Sequence, residues 1–304
     1  MLEQLGSGGS CRRYLGFFTP VLSLNAEALM EVVLSRESRQ ELRPFVRAYA
    51  QRTVDRTGSL FVNHVPAQLE QVLNFELGVM PGLRHRDHSV SEMVWMGGAQ
   101  TSFAGLMDLH PGVESFAVFF EPAGWSALFD IPVSEITNRV VNGAALHGTE
   151  LRSIWNQLGE ATSFEARIRI TDTFLLDRIS HLNPKRAIRS MFCAANLIRR
   201  QHGAMSIATV ASGFALGVRQ FERNFKQEIG VSPKSFARVA RFQGAVDAKL
   251  AAPNRSWLDI AHGFGYFDQM HMIHDFERLG RNIPSRLIAQ MGEVRPPALT
   301  AAIH

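Results

Sequence analysis

The period of apolar and polar positions changes along this chain. From Tyr14 to about Thr149 the apolar residues come in short runs broken by Gly, Pro, Asn and Asp. FVNHV, QVLNFEL, EMVWM and ESFAVFF have the β-branched and aromatic content of strands. Met80-Pro81-Gly82 and Glu121-Pro122-Ala123-Gly124 are turn signals between some of them. SALFDI reads as a helical interruption. The pattern predicts an antiparallel barrel or sandwich.

From Gly148 to about Leu182 the spacing lengthens to that of a helix. Leu151, Ile154, Trp155 and Leu158 recur at three and four, followed by Ile168, Ile170, Phe174, Leu175 and Ile179. His181-Leu182-Asn183-Pro184 reads as an interdomain joint, with Pro184 placed to open the next helix. That helix carries Ile188, Met191, Phe192, Ala195 and Ile198 on one face and stops at Gly203. A short helix follows Ser206, a predicted N-cap. A second helix runs over residues 218–229, with Phe221 and Phe225 facing inward, and ends at Gly230. Pro233 opens a longer one through Phe236, Val239, Phe242, Val246 and Leu250. Another short helix covers 257–262, and the last long one starts at Asp268 and buries Met272 and Phe276.

The chain therefore reads as α+β. Residues 1–182 form a β-rich domain with helices at its end, 183–291 an all-helical domain, and 292–304 a flexible tail. A single arrangement occurs twice within the helical domain. Ala211-Ser212-Gly213-Phe214 and Ala261-His262-Gly263-Phe264 each close a short helix before a tight turn and a longer helix. That is the outline of a helix-turn-helix, whose second helix enters the DNA major groove. Gly213, Ala215 and Gly217 supply small residues to the first turn, and Gly263 and Gly265 to the second. Asp268 caps the second reading helix; Gly217 is the weaker cap available to the first.

Composition sharpens this picture. Apolar residues are 46% and charged residues 20% of 304, ordinary for a globular chain of about two domains. The net charge is only +4, yet Arg200 to Gln290 holds twelve basic residues against seven acidic ones. The positive surplus sits in the helical third and suggests a polyanionic partner there. Cys11 and Cys193 lie far apart without metal-type spacing, which predicts a reduced, cytoplasmic protein. No run approaches the length of a membrane span. Cys11-Arg12-Arg13-Tyr14-Leu15 before GFFTPVLSL faintly mimics a twin-arginine signal, but Pro20, Glu27 and Glu31 break the apolar run. It is read as a first strand after a Gly/Ser tail, Gly6 to Ser10.

From about Ala187 to Ala289 the sequence resembles the arabinose-regulator (AraC/XylS) family of bacterial transcription regulators. The first stretch is TVASGFALGVRQFERNFKQEIGVSPKSFARVARFQ, where Ala211, Phe221, Arg223, Phe225, Gly230 and Pro233 keep the family's spacing. The second is DIAHGFGYFDQMHMIHDFERLGRNIP, where Ile260, Ala261, Gly265, Tyr266, Asp268, Gln269, Phe276 and Pro284 do. There are departures. Ala215 stands where the family usually has Gly, Gly217 where it has Ser or Thr, and Met272 where it has Phe. Gly280 falls one position early, with Arg281 in the usual place of the glycine. More weakly, HVPAQLEQVLNFEL and ESFAVFFEPAGWSALFDIPVSEIT resemble the cupin-like barrel domains that bind an effector, mediate dimerisation, or both, in such regulators.

The resemblance implies a sequence-specific, DNA-binding transcription regulator, with an activator among its expected modes. Double-stranded promoter DNA is the expected partner, with contact to RNA polymerase, an unidentified small-molecule effector and a homodimer as further expectations. The DNA-facing residues it implies are Arg219, Gln220, Glu222, Arg223 and Lys226 in the first unit. In the second they are Gln269, Met270, His271, Ile273 and His274. Arg219 and Arg223 suit guanine edges, Glu222 suits cytosine or an i+4 pair with Lys226, and Gln220 and Lys226 suit phosphates. Gln269 suits adenine; Met270 and Ile273 suit a thymine methyl.

Neither His271/His274 nor His85-Arg86-Asp87-His88 makes a metal set of sufficient ligands, so no metal and no cofactor is expected. GxSxG and phosphate-type glycine loops are missing, and no catalytic set converges; an enzyme is not expected. Cys193 reads as an inert helix residue within the apolar pattern. Trp95, Trp125, Trp155, Phe75 and Phe119 are aromatic residues for either an effector pocket or the core. The rival reading is a ligand-independent DNA binder whose N-terminal domain only dimerises.

Overall fold

Two antiparallel sheets and a layer of helices build the first half of the chain in the computed structural model, which describes residues 21–23, 31–57, 60–85, 88–90, 92–122, 124–182 and 190–291. The strands are β1 (Val21–Ser23), β2 (Glu31–Glu37), β3 (Val46–Val54), β4 (Phe61–Val65), β5 (Gln71–Glu76) and β6 (Gly82–His85). They continue as β7 (His88–Val90), β8 (Val94–Gly97), β9 (Gly105–Leu109), β10 (Glu114–Phe120) and β11 (Val140–Asn142). One sheet of seven strands runs β1-β2-β3-β10-β5-β8-β11, and one of four runs β4-β9-β6-β7. Among the described residues the two sheets do not join into a closed barrel. Of the expected barrel or sandwich, the described strands form an open sandwich, because β4 and β7 edge the small sheet without pairing to the large one.

Alternation along the central strands explains the layers. Side chains one apart on a strand point to opposite faces. On β5, Leu73 and Phe75 join the core under the helices, while Val72, Asn74 and Glu76 face the small sheet. On β10, Phe116, Val118 and Phe120 go to the helical side, and Ser115, Ala117 and Phe119 to the other. Both faces are covered, so β5 is buried along its whole length.

The helical layer holds α1 (Gly124–Phe129), α2 (Val133–Ile136), α3 (Gly143–Glu160) and α4 (Phe164–Ser180). Asn142 Oδ1 accepts from the Ala145 amide (3.0 Å) and starts α3 five residues before the Gly148 read from the sequence. Ser163 Oγ caps α4 through the Ala166 amide (3.2 Å). Leu151, Ile154, Leu158, Phe164, Ile168 and Leu175 carry these helices onto the large sheet. The interdomain joint from Asn183 onward, Ile188, the N-terminal tail with its arginine pair, and the predicted tail 292–304 lie outside the described residues.

The second half is helical: α5 (Ser190–Arg200), α6 (Ile207–Gly213), α7 (Val218–Ile229), α8 (Pro233–Ala251), α9 (Trp257–Gly263), α10 (Gln269–Gly280) and α11 (Pro284–Met291). On α7 the Phe221 ring lies tilted to Phe225, which meets Phe236 of α8 edge-on, and Phe276 of α10 packs edge-on to Phe242 and Trp257. On α5, Met191, Ala194, Ala195 and Ile198 face this core. Cys193 falls on the opposite, exposed face, which corrects its reading as a member of the apolar stripe. The early glycine of the last unit also has a reason. A Cβ on Gly280 would sit 2.6 Å from the Leu287 side chain of α11, which would have to shift to admit it, and Arg281 takes the left-handed cap at φ 59°.

Candidate nucleic-acid interface

Helices α6 and α7 form one helix-turn-helix unit, and α9 and α10 a second, with α8 joining them. In each short helix a serine holds the first turn. Ser206 Oγ accepts from the Thr209 amide (3.1 Å) and Ser256 Oγ from the Asp259 amide (3.0 Å). The turns close alike: the Leu216 amide donates to the Ala211 carbonyl (3.1 Å) and the Tyr266 amide to the Ala261 carbonyl (3.0 Å). The second turn is one residue longer, since ten positions separate buried Ala211 from buried Phe221 and eleven separate Ala261 from Met272.

Caps differ between the two reading helices. Asp268 Oδ1 accepts from the His271 amide (2.7 Å). Gly217 starts α7 with no side-chain hydrogen bond. Both match expectation.

The inward positions of α7 and α10 leave an outward face. On α7 it presents Arg219, Glu222, Arg223 and Lys226 as exposed side chains, with Gln220 half-buried beside them. Arg223 Nη2 donates to Gln220 Oε1 (2.6 Å), and Gln220 Nε2 donates to Asn224 Oδ1 (2.7 Å). That chain links Arg223 to Gln220 and Asn224 along the exposed face. On α10 the face presents Gln269, Met270, His271 and His274 exposed, and Ile273 half-buried. His274 Nδ1 lies 3.6 Å from Glu277 Oε2, and the His271 ring stands edge-on to Tyr266. All ten predicted residues therefore lie on the outer sides of two corresponding helices. Phe267, the additional residue of the second turn, is 90% exposed immediately before the Asp268 cap. Its exposure was not legible in the sequence, because an aromatic beside a turn is ordinarily buried.

The other constellations are placed as follows. No metal-type cluster of His, Cys, Asp and Glu occurs among the described residues. The Arg86-Asp87 centre of His85-Arg86-Asp87-His88 lies outside them. No described helix is long and apolar enough to cross a membrane. Trp125 and Phe75 are core residues, and Trp155 donates its indole N–H to the Glu76 carbonyl (2.6 Å).

Trp95 and Phe119 instead line a cavity of about 180 Å³ between the two sheets. Its wall on the far side is α8, through Phe242, Gln243 and Val246. Glu76 lies within it, accepting hydrogen bonds from Asn74 Nδ2 (2.7 Å), Trp95 Nε1 (2.7 Å) and Ser115 Oγ. Burial pushes its carboxyl up to about 7 despite those donors.

Residues 193–290 match the family model of a helix-turn-helix domain, of the AraC type. No curated protein matches the sequence. Among solved structures, ToxT from Vibrio cholerae O395 is 10% identical, covering 87% of this chain and 98% of its own, with a TM-score of 0.45. The unsaturated fatty acid bound ToxT of Vibrio cholerae strain SCE256 is 9% identical over 88% and 97%, also at 0.45. The AraC-like transcriptional activator CuxR is 12% identical over 71% and 81%, at 0.28. It is the family match that identifies the helical domain.

Proposed function

Taking residues 193–290 as a DNA-binding helix-turn-helix domain of the AraC type, we propose that the protein reads promoter DNA with α7 and α10 and is switched by a small molecule held in its N-terminal domain. The observation that carries the DNA reading is the pair of outward faces described above. Each belongs to a helix preceded by a tight turn, and a major groove admits one such helix. Arg219 and Arg223 read bases, with guanine the natural partner of an arginine fork; Gln220 and Lys226 hold the backbone. Gln269, Met270, His271, Ile273 and His274 form the second, less charged reading surface.

Support for the small-molecule switch is the cavity between the sheets. It is lined by apolar side chains with a few convergent polar groups, the usual make-up of a ligand site. Its α8 wall belongs to the DNA-binding half, so an occupant touches both halves at once. A ligand that favours one arrangement of the two shifts the population toward it and changes promoter occupancy.

Selection from random duplexes by the full-length protein tests the DNA reading. Enrichment of one motif supports it. Equal recovery of all sequences at low salt would leave only phosphate binding and defeat the proposal.

A further inference from the structure

We propose that the cavity between the sheets takes a compact, uncharged, ring-sized molecule offering a hydrogen-bond donor, and that the segment Pro66–Glu70 passes its presence to the second reading helix. This rests on the reading of the cavity as the effector site.

Size sets the first limit. A cavity of about 150 Å³ admits a benzene ring; this one, at about 180 Å³, has room for a ring and a small substituent. Its middle is apolar, with Val72, Trp95, Met107, Ala117 and Phe119. Charge sets the second limit. Arg52 is a cation on the wall, where its Nη1 donates to Met107 Sδ (3.3 Å), and its charge opposes the burial that raises the Glu76 carboxyl. Glu70, also on the wall, is bridged to Arg47 (3.0 Å) and takes Gln243 Nε2 on its other oxygen (2.7 Å). An anionic ligand would lie beside the buried carboxyls of Glu76 and Glu70, and a cationic one beside Arg52 or in place of Arg47 on Glu70. Both lose the balance that the lining already has. Asn63 Oδ1, which can only accept, and His64 Nδ1, which accepts in one tautomer, are buried lining atoms without a hydrogen-bond partner among the described residues. Asn63 is 5% exposed. A buried acceptor of that kind is satisfied by a ligand hydroxyl or N–H.

The segment Pro66–Glu70 is the physical link. Pro66, Ala67, Gln68 and Glu70 line the cavity. Yet the Ala67 amide donates to the Leu279 carbonyl in the last turn of α10 (2.8 Å), one of the carbonyls a helix end leaves without a partner of its own. The Leu69 amide donates to Gln243 Oε1 of α8 (3.2 Å), and the side chains of Ala67 and Leu69 are buried in the helical domain's core. One short strap thus forms a wall of the cavity and seats the C-terminal end of α10. A molecule that presses on the strap moves the reading helix.

The test uses the full-length protein and four one-ring probes: benzyl alcohol, benzoate, benzylammonium and toluene. Thermal melting gives binding, and amide hydrogen exchange gives the response of the strap. Benzyl alcohol is expected to raise the melting temperature most, and Ala117→Leu, which fills the cavity, to abolish the rise. Asn63→Leu is expected to transfer the preference to toluene, a readout that stands if the filled variant does not fold. Exchange at Ala67 and Leu69 is expected to change with benzyl alcohol bound. A larger rise with benzoate or benzylammonium overturns the uncharged class. Binding that leaves both amides unchanged overturns the strap. No rise with any probe overturns the site, and binding of a selected duplex by the same sample separates that failure from failure of the regulator reading.

Discussion

Ala215 and Gly265 hold the same place in the two turns and share a left-handed backbone, at φ 55° and 68°. Glycine adopts that conformation without cost, whereas an alanine there is strained by about 1 kcal/mol. Ala215 is exposed, so its methyl contributes no packing in return. Ala215→Gly is expected to stabilise the protein by about 0.5–1 kcal/mol after allowing for the looser unfolded chain. Denaturant unfolding measures this, and an unchanged or lower midpoint would count against the strain.

Arg219 carries the sharpest prediction on the DNA side. Arg219→Ala is expected to cost about 1–3 kcal/mol at the selected site and to relax preference at one base pair. Competition binding with single-base variants of the site decides it. A uniform loss on every sequence would assign Arg219 to a phosphate.

Arg238 on α8 pairs with Asp275 on α10, whose side chain is 1% exposed. Removing the cation leaves a buried carboxylate unpaired. Arg238→Met is expected to cost about 3 kcal/mol of stability, and Arg238→Met with Asp275→Leu to recover much of it. A single variant as stable as the parent would show that the pair does not join the helices.

Glu76 makes stability depend on pH. Its carboxyl is raised from the ordinary 4.5 to about 7 by burial. The folded protein therefore holds that proton more tightly than the unfolded chain. The resulting stability is fully present below about pH 4.5 and is lost as pH rises through 7, on the order of 3 kcal/mol. Relative to Glu76→Gln, the parent is expected to lose stability between pH 5 and pH 8. A gap that stays constant over that range would contradict a proton held at Glu76.

The helical domain was largely legible in the sequence because its signals are local. Ser206, Asp268, Gly230 and Pro233 mark helix ends within a few residues of what they control, and each does so in the structure. Strand content was legible for the same reason. Sheet order was not: β3 pairs with β10, Thr53 opposite Glu114, and nothing near either residue announces a partner that far along the chain. The strap escaped notice because Ala67 and Leu69 look like ordinary loop residues; their burial is supplied by helices that come far later. Cys193 was misplaced because an apolar side chain at helical spacing does not reveal which face the core occupies.

The most direct test of the account is a hydroxyl-radical footprint of the full-length protein on its selected duplex. Two protected blocks on one face of the DNA, about ten base pairs apart centre to centre, are the predicted result, one for each reading helix. A single block that persists when the α10 face is changed at Gln269 and His271, or no protection at all, would contradict paired reading by α7 and α10.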